Sequence, residues 1–144
     1  MKYINGNLLD ATSGIIVHGC NAQGVMGSGV AKAVKDKYPE AYQKYYAEYL
    51  YGLLTPGWIS VYNPSRYLTI VSGITQEYYG RDKNVVYVDY DSLAEVFRKV
   101  KSIWPGVPVH IPKIGAGLAN GDWEIISRII DTIYTDDSVT CYIF

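Results

Sequence analysis

The sequence predicts an α/β domain in which a central mixed sheet is covered by helices on both faces. Three observations predict it. Short apolar runs rich in β-branched residues alternate along the chain with segments of helical periodicity. Two of those runs enter glycine-rich loops that lead directly into helices. The first unit is Gly14–Val17 with Val17–Ala31 (VHGCNAQGVMGSGVA), and the second is Val107–Pro112 with Lys113–Gly121 (KIGAGLANG). A third pair of runs, Trp58–Tyr62 and Tyr67–Gly73, is separated only by Asn63-Pro64-Ser65-Arg66, which reads as a hairpin turn.

Each element has a local cause. Met1–Asn5 reads as a short strand, and Gly6–Thr12 as a turn or short helical entry. Ser13–Val17 is the strand that feeds the first loop. The helix after that loop carries Val30, Val34 and Tyr38 on one face and ends near Tyr38–Pro39, because the residue before proline avoids the helical region. Pro39 suits the first turn of the next helix, which runs to about Tyr51 before Gly52–Gly57 breaks it. Thr75–Val88 is polar and glycine-containing, then apolar, and reads either as an excursion over the site or as a short edge strand. Ser92-Leu93-Ala94-Glu95 matches a capping box, and Leu93, Val96, Phe97, Val100 and Ile103 follow at helical spacing. Trp104-Pro105-Gly106 stops that helix. Trp123, Ile126, Ile130 and Ile133 form the stripe of the last helix, and Val139–Phe144 closes the chain as a strand.

At 144 residues the chain is read as one domain, 1–144. A formal net charge of −1 supplies no bulk attraction to nucleic acid or an anionic membrane, so neither is expected as a partner. An anion site must then work through local backbone donors. Two cysteines, Cys20 and Cys141, are too few for a disulfide framework and fit a reducing compartment. No apolar run approaches the ~20 residues that span a bilayer, and MKYINGNLLD lacks the apolar core of a signal peptide. A cytoplasmic monomer is expected. The tyrosines of Tyr38–Tyr51 recur at helical spacing without interleaved arginines, which fits an amphipathic helix rather than a base-stacking platform.

The two loops carry the chemistry. Glycine lets backbone approach a ligand, first-turn N–H groups lack intrahelical partners, and the helix dipole favours an anion there. Two such loops suggest a clamp for a diphosphate. Neither is a P-loop or a G-x-G-x-x-G sequence, and His18, Cys20, His110 and Cys141 lack zinc-ligand spacing, so no metal or cofactor is expected. His110, inside a strand, reads as a satisfied sheet histidine, and Cys20 as a small buried residue. His18 stands where the strand meets the first loop. It is either a structural histidine or an acid, base or phosphate donor. Asp122 opens the last helix, where a carboxylate stabilises the dipole and is also placed to orient water.

Together the motifs resemble the macro domain family, whose members bind ADP-ribose. Ile4-Asn5-Gly6-Asn7-Leu8-Leu9 is similar to the family's opening. His18-Gly19-Cys20-Asn21 with Gly27-Ser28-Gly29-Val30-Ala31 resembles its first loop, and Pro112-Lys113-Ile114-Gly115-Ala116-Gly117-Leu118 its phosphate loop. The histidine, "MGSGVA" and "GLANGDW" resemble the branch holding ADP-ribose-1″-phosphate phosphatases and the hydrolase that removes terminal ADP-ribose from glutamate. The resemblance implies a three-layer α/β/α sandwich with a ligand cleft across the sheet's end. It implies Asn7 and Leu8 at the adenine, with Tyr142 and Phe144 bordering the ring. Asn21 would lie near the distal ribose, with Gly19 in the same loop. Gly27, Ser28, Gly29 and Val30, with Ile114, Gly115, Ala116, Gly117 and Leu118, would wrap the diphosphate and distal ribose.

Three departures accompany that resemblance. Asn7 replaces the usual adenine-binding aspartate. Gln76 stands where the glutamyl hydrolase has a lysine after "I-T", and Ala119 where it has an aspartate after "G-x-G-L". The expected activity is therefore hydrolysis of ADP-ribose 1″-phosphate to ADP-ribose and phosphate. His18 would donate a proton or hydrogen bond, Asp122 would orient water and Asn21 would position the ribose. A non-catalytic ADP-ribose-binding module and a hydrolase removing ADP-ribose from proteins are the alternatives.

Overall fold

The computed structural model describes residues 1–143. Its strands are β1 (Lys2–Asn5), β2 (Gly14–Asn21), β3 (Ile59–Tyr62), β4 (Leu68–Gln76), β5 (Val109–Ile111) and β6 (Val139–Ile143). Its helices are α1 (Gly29–Lys37), α2 (Pro39–Leu50), α3 (Tyr90–Ile103) and α4 (Trp123–Ile133), with a short 3-10 turn at Leu8–Asp10. The strands form one sheet in the order β1-β6-β5-β2-β4-β3. The β3–β4 hairpin is antiparallel and every other neighbouring pair is parallel. The mixed sheet and the hairpin at Asn63–Arg66 both follow the sequence expectation.

Alternation along β2 divides the core. Ile15 and Val17 face α3 and α4, packing with Val71, Leu93, Phe97, Ile126 and Ile130. Ile16 faces the other way, onto Val34 of α1, Ala41 of α2 and Ile70. Farther along that second face, Cys20 joins Met26, Tyr45 and Ile74. A strand buried on both faces needs a near-continuous apolar run, which is why β2 reads Gly-Ile-Ile-Val at its start. Burying one such side chain stabilises the fold by about 1.5–3 kcal/mol. Both edge strands, β1 and β3, are only four residues long, which limits edge-to-edge pairing.

Two boundaries differ from expectation, each for a physical reason. Strand β2 continues past Val17 to Asn21, because His18, Gly19 and Cys20 pair with Ser72, Gly73 and Ile74 of β4. Pairing with a neighbour outweighs the low strand propensity of glycine and histidine. The capping box is also displaced. Asp89 is the N-cap of α3, so Ser92 lies inside the first turn, where its hydroxyl donates to the Asp89 carboxylate. Residues 77–88 form an excursion rather than an edge strand. Among the described residues no helix is long and apolar enough to cross a membrane.

All strands except β3 point their carboxyl ends to the same edge of the sheet. That edge therefore gathers the segments after β1, β6, β5, β2 and β4. In open α/β sheets, ligands bind in the crevice outside the carboxyl ends of the strands.

Candidate functional site

A cleft of about 600 Å³ opens at that edge. Its floor is the end of β2, with Gly19, Cys20 and Asn21. One wall is the β2–α1 segment, with Val25 and Gly27–Ala31. A second is the β5–α4 loop, with Pro112–Gly115 and Gly117–Ala119. A third comes from the end of β4 and the excursion after it, with Thr75, Gln76, Tyr79, Gly80 and Arg81.

Helix α1 begins at the first of these walls. Its N-cap is Ser28, whose side chain makes no capping bond, and the first bond into the helix is Lys32 N–H to the Ser28 carbonyl at 3.3 Å. The N–H groups of Gly29, Val30 and Ala31 are thus uncapped donors at a cleft wall, at the positive end of the helix dipole. Gly29 sits at φ +61°, a conformation that L side chains rarely adopt. On the β5–α4 wall, Gly115 has φ +78°, and a Cβ there would lie 3.0 Å from Val88 and 3.1 Å from Ile126. Both glycines are required by backbone geometry.

Asn21 organises the bend after β2. Its Oδ1 accepts from Gln23 N–H at 2.9 Å and from the Tyr45 hydroxyl at 3.1 Å, while Nδ2 donates to the Val25 carbonyl at 2.9 Å. An amide carries two N–H donors, so one remains for a ligand in the cleft. At the floor, the β2–β4 ladder slips between Cys20 and Asn21, which pairs with Gln76 and skips Thr75. The buried Thr75 hydroxyl has no hydrogen-bond partner among the described residues. It is a second polar group beside Asn21 at the base of the cleft.

The structure corrects the two titratable candidates. His18 is fully buried and lies outside the cleft lining. Because β2 runs on to Asn21, His18 is mid-strand on the α1–α2 face, with Nε2 2.7 Å from Ser72 Oγ and Nδ1 3.7 Å from Cys20 Sγ. Burial pushes its pKa down to about 4, so it is a neutral core imidazole at pH 7. Asp122 is exposed, caps α4 by accepting Glu124 N–H at 2.9 Å, and does not line the cleft. It is a helix cap. Burial also raises the Cys20 thiol to about 12, which makes it an inert core group.

Of the proposed binding residues, Gly19, Asn21, Gly27, Ser28, Gly29, Val30, Ile114, Gly115, Gly117 and Leu118 do line the cleft. Ala116 instead packs toward the α3–α4 core. Asn7, Leu8 and Tyr142 lie outside the lining. Asn7 caps the 3-10 turn through Leu9 N–H, Leu8 is buried under α1, and the Tyr142 hydroxyl is held 2.8 Å from His110 Nδ1. Phe144 falls outside the described residues. The sequence reading named neither Arg81 nor Tyr79 as a binding residue, and it placed Lys113 in the phosphate loop without giving its side chain a role; all three line the cleft. A cation in the first position of a glycine loop was a signal for Lys113. Nothing local marked Arg81.

The Macro domain family model matches residues 17–130, from mid-β2 into α4. The chain belongs to the Macro domain family. This macro domain is 31% identical over 141 residues to an uncharacterised 17.5 kDa protein of Enterobacteria phage T4, covering 92% of this chain and 88% of that one. It is 30% identical over 166 residues to a Debaryomyces hansenii protein named ADP-ribose 1″-phosphate phosphatase, covering 91% and 92%. Among solved structures, a Bacteroides thetaiotaomicron protein of unknown function superposes with TM-score 0.87 at 30% identity, covering 98% of this chain and 96% of that one. The likeness spans nearly the whole length of each partner.

Proposed function

We propose that this macro domain binds ADP-ribose in the cleft and hydrolyses the terminal phosphate of ADP-ribose 1″-phosphate. The observation that carries the reading is the lining itself. The α1 wall presents uncapped backbone donors, the cations Arg81 and Lys113 also line the cleft, and no Asp or Glu does so among the described residues. Such a cleft favours a polyanion while the chain as a whole carries a net charge of −1. The naming of a relative 30% identical along 91% of the chain supports the same substrate.

Phosphoryl transfer to water asks chiefly for positioning and charge stabilisation. The first-turn N–H groups of α1 would hold the phosphate oxygens as charge redistributes. Arg81 would neutralise the phosphoryl group passing to water, Lys113 the diphosphate, and the free amide hydrogen of Asn21 would orient the ribose, whose 1″ oxygen is the leaving group. His18 and Asp122 take no part, the one sealed in the core and the other committed to its helix cap. Among the described residues the lining contains no histidine or carboxylate to act as a base at neutral pH, so turnover is slow. Gln76 in the cleft leaves no lysine where the glutamyl hydrolase it resembles has one, which disfavours removal of ADP-ribose from carboxylates. The same lack of a base supports a second reading, a module that binds ADP-ribose without turning it over.

Calorimetry with ADP-ribose, run beside phosphate release from ADP-ribose 1″-phosphate, tests this. Gly117→Val is the control: an added Cβ meets nothing within 4 Å, so the variant folds while its side chain enters the cleft. Binding and release that Gly117→Val abolishes would support the phosphatase reading. Binding without release would leave the binding module. No binding by the wild type would refute both.

A further inference from the structure

Two cations, Arg81 and Lys113, line the cleft in addition to the backbone donors at the start of α1. Lys113 opens the β5–α4 loop, beside Gly115 and Gly117, and so belongs to the glycine-rich wall. Arg81 comes from a different wall, the excursion after β4. Because β2 lies between β5 and β4, the two cations flank the β2–α1 wall on its two sides. None of the ion pairs among the described residues involves either one. A guanidinium at a concave site with no carboxylate to neutralise it, and with five N–H donors in a planar fork, is suited to a phosphate monoester.

The segment carrying Arg81 is also held in place. Asn120 Nδ2 donates to the carbonyls of Asp82 at 3.0 Å and Val85 at 2.7 Å. The Tyr87 hydroxyl accepts Asp82 N–H at 3.2 Å, and the Tyr87 and Val88 N–H groups both reach the Ala119 carbonyl. These bonds tie the residues just after Arg81 to the β5–α4 loop. Asn120 adopts φ +60°, the one non-glycine residue in the left-handed region among the described residues. A side chain kept in a costly backbone conformation, bridging two walls of the cleft, points to a positioning role.

We propose that Arg81 makes this cleft select ADP-ribose bearing a terminal phosphate over ADP-ribose itself, with Asn120 as the positioning residue that fixes its segment. The inference rests on the ADP-ribose reading of the cleft and deepens it. Lys113 serves the charge that both ligands share, whereas Arg81 serves the charge that only one of them has. Losing a charge-assisted pair at the terminal phosphate then lowers affinity for that ligand by about tenfold or more.

The experiment measures affinities for ADP-ribose and for ADP-ribose 1″-phosphate, the latter before turnover. The proteins are the wild type, Arg81→Gln, Arg81→Lys and Asn120→Gly, a change that keeps φ +60° unstrained. Arg81→Gln should cut affinity for the phosphorylated ligand about tenfold or more and leave ADP-ribose within about twofold. Arg81→Lys should restore part of the difference, since charge returns without the fork. Asn120→Gly should narrow the ratio of the two affinities, which a general loss of stability would not do. An unchanged ratio in Arg81→Gln, or equal weakening of both ligands, overturns the inference while leaving the cleft reading standing. Failure of the wild type to bind either ligand overturns the cleft reading and the inference with it.

Discussion

Acidification tests the burial of His18 most directly. In the unfolded chain the imidazole takes up a proton near its usual 6.5, whereas in the folded protein burial holds it neutral until about 4. Between those values the unfolded state binds one more proton than the native state, so stability falls as pH drops. Each pH unit is worth about 1.4 kcal/mol, so the loss is nearly complete by pH 4 and amounts to about 3 kcal/mol. Against a typical domain stability of about 5–15 kcal/mol, that is a large fraction. His110 is also held low by burial, offset in part by the Ser13 carbonyl, so it contributes in the same direction. Urea unfolding of wild type and His18→Gln across pH 7 to 4 separates the two histidines. The wild type should lose about 3 kcal/mol more than the variant. Titration of the His18 ring by NMR gives an independent reading, with the imidazole still neutral at pH 5. Equal pH slopes in the two proteins, or a His18 ring that titrates near 6.5, would refute the buried placement and return His18 to candidacy as an acid.

Two further outcomes come from the same geometry. Gly115→Ala forces a side chain into φ +78° and against Val88, Ile126 and Leu93, so it should destabilise the fold by about 1–3 kcal/mol. Gly117→Val should stay within about 0.5 kcal/mol of wild type; thermal melts distinguish them, and equal melting temperatures would contradict the loop conformation at Gly115. Cys20 and Cys141 are buried with thiols raised to about 12 and about 11. Alkylation at pH 8 should therefore leave both unlabelled in the native protein and modify both in denaturant. Rapid native labelling of Cys20 would mean that the cleft floor is open.

Much of the fold was legible because its signals are local. The apolar stripe of α4, Pro39 at the start of α2 and the hairpin turn at Asn63–Arg66 each act within a few residues, and the structure carries all three. The glycines at 29 and 115 were legible for the same reason: a backbone that needs positive φ admits few other residues. The family resemblance extended this reading to the cleft, since most of the two loops it implicated line one cavity.

His18 and Arg81 mark where the sequence stopped deciding. Read locally, His-Gly-Cys after four apolar residues looks like the end of a strand. Whether it ends there depends on β4, far along the chain, whose Ser72–Ile74 pair with His18–Cys20 and carry the strand to Asn21. That extension turned a cleft-edge histidine into a core one and moved its pKa by burial. Arg81 presents the opposite case. Its neighbours are polar and irregular, and only the bridge from Asn120, together with the sheet order that sets β4 beside β2, brings it to the cleft wall. The sequence by itself determined the α/β class, the two glycine-rich loops and the helices behind them, because turn chemistry and periodicity are short-range. Tertiary structure alone decided which polar side chains line the cleft, because strand pairing and loop bridging join residues that the sequence keeps far apart.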